Sequence, residues 1–181
     1  MRRTPSVLAA LAAGTAVLAF TAGTATAAQP VTFTIAGGGL SISAPTATTN
    51  LTVNSGSTQA SGQLGATTVT DLRATFLGSY TVTMTASAMD HDGANDGGYQ
   101  IASSSVTAYS GSTTSTTGTV TTIPTTSAAP AAVGGASGAT LFQGTLEAGA
   151  TTATYNPTLV VAIPSTALAG SYTGSVTQTV S

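Results

Sequence analysis

The stretch Thr152–Ser181, TATYNPTLVVAIPSTALAGSYTGSVTQTVS, reads as two β-strands in succession. Tyr155, Leu159, Val161 and Ile163 lead into Pro164, and a polar connection runs from Ser165 to Gly170. Tyr172, Val176 and Val180 then alternate with Thr173, Ser175, Thr177 and Thr179. Apolar side chains at every second residue place one face of a strand in a core and the other in water. Gln178 falls on the apolar face. A terminal edge strand would leave it half exposed; the sharper alternative is that it lines a ligand groove. A buried amide in either setting needs hydrogen-bond partners.

Working back from this stretch, the same grammar recurs. Tyr80, Val82, Met84 and Ala86 alternate with Thr81, Thr83 and Thr85 to make the clearest strand. Shorter candidates are Val31–Ile35, Leu40–Ile42 after Gly37-Gly38-Gly39, Leu51–Val53, and Thr67–Thr75. β-Branched threonine suits the wet face of a pleated sheet. Short strands punctuated by Gly, Asn and Pro predict an all-β fold, an immunoglobulin-like Greek-key β-sandwich of about eight to ten strands. Ser110–Gly138, almost entirely Thr, Ser, Gly, Ala and Pro, reads as a low-complexity excursion, with a strand near Thr119–Ile123 left open.

Residues 1–28 carry the marks of a secretory signal. Arg2 and Arg3 precede an apolar run from Val7 to Phe20, and Ala25-Thr26-Ala27 supplies the small-x-small cleavage pattern. The expectation is a secreted, extracellular protein cut after Ala27 or Ala28, with one domain at residues 29–181. Charged residues make up only 4% of the chain, far below the roughly 25% of an average domain. Removing the signal leaves Arg73 alone against Asp71, Asp90, Asp92, Asp96 and Glu147, a side-chain balance of −4. Such a surface cannot neutralise a phosphate backbone or hold to anionic lipid, so no nucleic-acid partner is expected. No stretch beyond the signal offers about 18 consecutive apolar residues, so no membrane insertion of the mature form is expected. The chain has no cysteine, which excludes disulfides, thiol nucleophiles and Cys-ligated metals.

Catalytic and metal motifs are weak. Asp90-His91-Asp92-Gly93-Ala94-Asn95-Asp96-Gly97 offers oxygen ligands for calcium, but Ala94 sits where an EF-hand needs a third ligand and no acid closes the loop. Solvated turn acids are the expectation, with no metal and no cofactor. His91, the single histidine, has no Gly-x-Ser-x-Gly elbow to serve, and the aspartates crowd one loop without a sugar platform. No enzyme is expected. Repeated Thr-x-Thr pairs could order water on a flat face, but they lack a solenoid period.

The C-terminal pattern resembles the WxL domain of secreted bacterial surface proteins, in its divergent actinobacterial form. The matching pieces are Tyr155-Asn156-Pro157-Thr158-Leu159, Ile163-Pro164, Ala169-Gly170-Ser171-Tyr172-Thr173-Gly174 and the closing Thr-rich strand. Upstream, Tyr80–Thr83 and Ile101–Tyr109 fit the earlier strands, so the resemblance spans about residues 64–181. The family's two Trp-x-Leu motifs fall on Tyr80-Thr81-Val82 and Gln178-Thr179-Val180, and the chain has no tryptophan. The resemblance implies non-covalent association with the cell wall, through peptidoglycan or another wall polymer, with Tyr80, Val82, Gln178 and Val180 as the binding residues. The alternative is a self-associating structural protein that pairs through the edge strand Tyr172–Ser181.

Overall fold

The alternation at Tyr80–Ala86 is realised as a strand, residues 79–86, whose apolar side chains all turn inward. It belongs to a computed structural model that describes residues 32–34, 36–46, 49–53, 56–91 and 99–181. The signal reading at 1–28 lies outside the described residues. The chain divides at Thr34 into two units. In the first, residues 32–34 are exposed and form no strand; Val31, and Ile35 at the start of the second, lie outside the described residues.

The second unit is built of antiparallel β-strands. In chain order they are β1 (Leu40–Ser43), β2 (Thr52–Val53), β3 (Gln59–Gln63), β4 (Thr67–Asp71), β5 (Ser79–Ala86), β6 (Met89–His91) and β7 (Gln100–Ile101). β8 (Val106–Tyr109), β9 (Thr113–Pro124), β10 (Ala131–Ala132), β11 (Ala139–Tyr155), β12 (Thr158–Ala162), β13 (Tyr172–Thr173) and β14 (Val176–Val180) follow. A single 3-10 turn, Ser103–Ser105, is the only helical element among the described residues. The largest sheet runs β1-β4-β11-β5-β14, with β9 on the remaining edge of β11. A second runs β10-β8-β12-β3-β2, and a small third runs β13-β6-β7. The arrangement is an all-β sandwich.

The 17-residue β11 organises it. Along one edge its first half pairs with β5 and its second half with β4, while β9 follows the other edge throughout. The pairing shifts register between Leu146 and Thr152, where Gly149 and the facing Gly118 both adopt positive φ. Shifts of this kind bend a sheet and sharpen its twist. Here the bend brings the two halves of β11 face to face. Phe142 from the first half stacks on Tyr155 from the second, ring centroids 4.4 Å apart, and Tyr80 stacks on Phe142 at 6.4 Å. These rings, with Val69, Val82, Met84, Leu141, Leu146 and Ala153, form the core.

Gly118 has φ +71°, and a Cβ there would sit 2.5 Å from the Ala150 carbonyl oxygen. Gly118→Ala is therefore expected to lower stability by about 1–2 kcal/mol from the left-handed backbone alone, and more from the clash. Urea unfolding measures it; an unchanged midpoint would mean the bend does not depend on this glycine.

Sequence and structure part company in several places, and the strand expected over Thr67–Thr75 ends at Asp71, where the positive-φ turn begins. The low-complexity excursion is ordered: β9 spans twelve of its residues, and Val133 is fully buried. Its ends are latched, Ser110 N–H donating to Thr125 Oγ1 at 2.9 Å and Thr125 N–H to Ser110 Oγ at 3.0 Å. The backbone ladder to β11 holds this strand, so it needs little apolar alternation of its own. The closing strand, in turn, is not continuous. Tyr172–Thr173 pairs with β6 in the small sheet, and only Val176–Val180 joins β5.

Candidate functional site

Tyr80, Val82, Gln178 and Val180 come together on the adjacent strands β5 and β14. Val82 faces Val180, and Met84 faces Gln178, in the antiparallel register. All turn toward the core: Tyr80 is 2% exposed, Val82 is 0%, and Gln178 and Val180 are half-buried. They share one face of neighbouring strands, and that face is the interior one. Gln178 is half-buried on the terminal edge strand, and its amide is hydrogen-bonded inward. Its Oε1 accepts from the Tyr155 hydroxyl at 2.8 Å, and its Nε2 donates to Thr67 Oγ1 at 3.3 Å. Both partners are fully buried and sit on the opposite half of the folded sheet. The amide therefore pins β14 across the core to β4 and β11.

Tyr80 lies where its ring covers Gly144, at which any Cβ would collide with the ring. Its buried hydroxyl has no hydrogen-bond partner among the described residues. Burial, and next the nearby Asp71 charge, push its pKa up to about 12. Burial raises Tyr155 further still. Both phenols stay protonated at neutral pH. Because the Tyr80 hydroxyl is buried without a partner, Tyr80→Phe should leave stability unchanged or raise it by up to about 1 kcal/mol, read from thermal unfolding.

A charged pair missing from the sequence reading closes the end of β4. Asp71 is completely buried, and Arg73 is 33% exposed. Arg73 Nε donates to both carboxylate oxygens, at 3.0 and 3.1 Å, and Nη2 donates to Oδ2 at 2.6 Å. Nη2 also donates to the Ser79 carbonyl at 2.8 Å, so one guanidinium ties the end of β4 to the start of β5. The Arg73 hydrogen bonds hold the Asp71 carboxyl below the usual carboxylate range, against the opposing effect of burial. The signal was present in the sequence: Asp71 and Arg73 are two apart, with Arg73 the sole cation after the signal; Arg73 itself lies just past the end of β4.

Beside this pair lies an open cleft of about 620 Å³, lined by Ala36, Gly37, Gly38, Leu72, Arg73, Ala74, Gly149 and Ala150. The glycine run read as a turn or bulge forms one wall of it, Gly38 N–H donating to the Leu72 carbonyl.

The acidic loop is placed only in part. Asp90 and His91 lie in β6; Asp92, Asn95 and Asp96 lie outside the described residues. His91 packs edge-on against Tyr172, centroids 5.1 Å apart, and its Nε2 lies 3.3 Å from the Ala169 carbonyl. Among the described residues no group of three or more His, Asp or Glu side chains is placed to hold a metal ion. No described helix is long and apolar enough to cross a membrane.

On the outward face of the main sheet, register aligns hydroxyls across four strands. Ser41, Thr70, Thr152 and Thr117 form one row, and Ser43, Thr68, Thr154 and Ser115 the next. Thr68 bonds Thr154 through their hydroxyls at 2.9 Å, and Thr117 bonds Thr152. The eight positions carry no charge.

Comparison with known proteins returns nothing: no family model, curated protein or solved structure matches this chain.

Proposed function

We propose that this is a secreted, non-catalytic surface protein, freed of its signal peptide and held to the bacterial cell wall by non-covalent contact. The observation that carries this reading is the uncharged hydroxyl grid on the outer face of β1, β4, β11 and β9. A neutral surface of hydroxyl donors and acceptors suits a neutral, hydroxyl-rich polymer such as the glycan of peptidoglycan. It has no cations with which to seek phosphate. In this reading the domain keeps an immunoglobulin-like Greek-key order. Asn156-Pro157, with Asn156 Nδ2 donating to Gln63 Oε1 at 3.0 Å, is the corner where the chain changes sheet. Tyr80, Val82, Gln178 and Val180 then act from beneath, fixing the shape of the sheet that the polymer meets.

The test is sedimentation of the protein with purified insoluble cell wall. Wild type should sediment, and Thr70→Glu/Thr152→Glu, which places charge on the grid without touching the core, should weaken binding at least tenfold. Failure of the wild type to sediment ends the reading. A second reading, self-association through the C-terminal strand, is favoured by β14 pairing along one edge only, with β5. The edge it would offer is Val176–Val180, not the whole of Tyr172–Ser181.

A further inference from the structure

The connection from β4 to β5, residues 72–78, is costly for a solvated loop. Leu72, Phe76 and Leu77 are 47%, 78% and 67% exposed. Ala74 and Leu77 both hold positive φ, +53° and +55°. A branched side chain in the left-handed region is rarely tolerated, and such strain concentrates where a backbone must present something. The loop is also anchored at its base. Arg73 bonds the Asp71 carboxylate on one side and the Ser79 carbonyl on the other, so the apolar tip projects from a fixed stem.

Next to this tip lies the cleft of about 620 Å³, walled by Gly37, Gly38, Leu72, Ala74, Gly149 and Ala150. Its one charged lining residue, Arg73, is already paired with Asp71, which leaves a neutral, mainly apolar hollow. The exposure of Phe76 and Leu77 means that the chain's own tip does not fill its own cleft. One loop thus supplies both an exposed apolar tip, Phe76-Leu77, and part of the wall of an apolar hollow, Leu72 to Ala74. Such a pair can serve as the two halves of an isologous contact, in which each copy gives and receives the same element.

We propose that Phe76 and Leu77 of one copy dock into the cleft of a second copy, forming a reciprocal two-fold dimer. A lipid surface would use the knob but leave the hole idle. It would also meet a protein whose residues 36–181 carry one basic side chain, already paired. The contact is small beside the roughly 800 Å² per partner of a stable interface, so the dimer should be weak and concentration-dependent. The cleft adjoins the last row of the hydroxyl grid, Leu72 and Ala150 lying two residues from Thr70 and Thr152, so sedimentation of Phe76→Ser with cell wall tells wall binding from dimerisation.

Sedimentation velocity of the purified protein from micromolar to near-millimolar concentration should reveal a monomer–dimer equilibrium. Phe76→Ser should weaken the dimer at least tenfold. Leu77→Asn should do the same while holding or raising the unfolding midpoint, because Asn tolerates positive φ. Ala150→Trp, which fills the hole, should also yield monomer. Mixing Phe76→Ser with Ala150→Trp restores one knob in one hole, so a heterodimer weaker than the wild-type dimer should form. A wild type that stays monomeric throughout overturns the proposal, as does a dimer indifferent to both knob and hole. So does binding to zwitterionic vesicles that needs Phe76, survives Ala150→Trp and occurs without dimerisation.

Discussion

Asp71→Ala is expected to destabilise the protein by about 3 kcal/mol, near the low end for breaking a buried ion pair. The aspartate is fully buried and the arginine is two-thirds buried, so the substitution leaves a guanidinium held among backbone groups with its main partner gone. Partial exposure of Arg73 lets water recover some of the loss, which keeps the figure from the upper end. The damage reaches beyond the pair, because Arg73 also holds the Ser79 carbonyl and so fixes where β5 begins. Chemical denaturation of wild type and variant gives the value directly. A loss below about 1 kcal/mol would place the pair among surface salt bridges.

The same pair sets a pH dependence whose sign is fixed. Asp71 has its carboxyl pKa lowered in the folded state, principally by the Arg73 hydrogen bonds. The folded protein therefore releases this proton more readily than the unfolded chain, and the pair's contribution is complete above the ordinary carboxylate range. It is lost as pH falls through the depressed folded value. Asp71→Asn should flatten that acid limb of the stability curve while leaving its shape near neutrality unchanged. Denaturant midpoints at a series of pH values below 6 test this; equal acid slopes in the two proteins would sink the assignment.

The sequence makes strands visible where one face is dry and the other wet. Tyr80–Ala86 is legible because each inward residue is apolar and each outward one polar. β9 is hidden by the same physics: nearly all of it is exposed on both faces, so Thr, Ser and Gly there look like a flexible tract. β11 is hidden for another reason. Its apolar residues fall into two groups, Leu141 to Leu146 and Ala153 to Tyr155, separated by the bend at Gly149, and they read as two elements. The candidate residues came from the resemblance, and the pattern itself gave only the faces they occupy. Period-two alternation put Tyr80 and Val82, and Gln178 and Val180, on common faces; only the folding over of the sheet makes those faces interior. The knob at Phe76-Leu77 has no periodic signal at all, since its exposure follows from backbone angles that composition does not encode.

Gln178→Ala should cost about 2–4 kcal/mol, a large effect for a half-buried residue on a terminal strand. Two hydroxyls at full burial, those of Tyr155 and Thr67, lose their amide partner in the variant. A buried polar group left unpaired costs about 1–3 kcal/mol, and two are stranded together. The outward face of the same strand should behave differently. Thr179→Ala, which removes a hydroxyl bonded to Thr83 at 2.7 Å in an exposed setting, should cost under about 1 kcal/mol. A double-mutant cycle separates the amide's bond from loss of its bulk. Tyr155→Phe alone strands Gln178 Oε1, whereas Tyr155→Phe combined with Gln178→Leu removes both ends of the bond and keeps the volume. The combined variant should be more stable than the sum of the single changes predicts, by about 1–2 kcal/mol of coupling. Strict additivity would mean that the two residues do not meet across the core. The fold-over of β11, which alone brings residue 155 to residue 178, would fall with it.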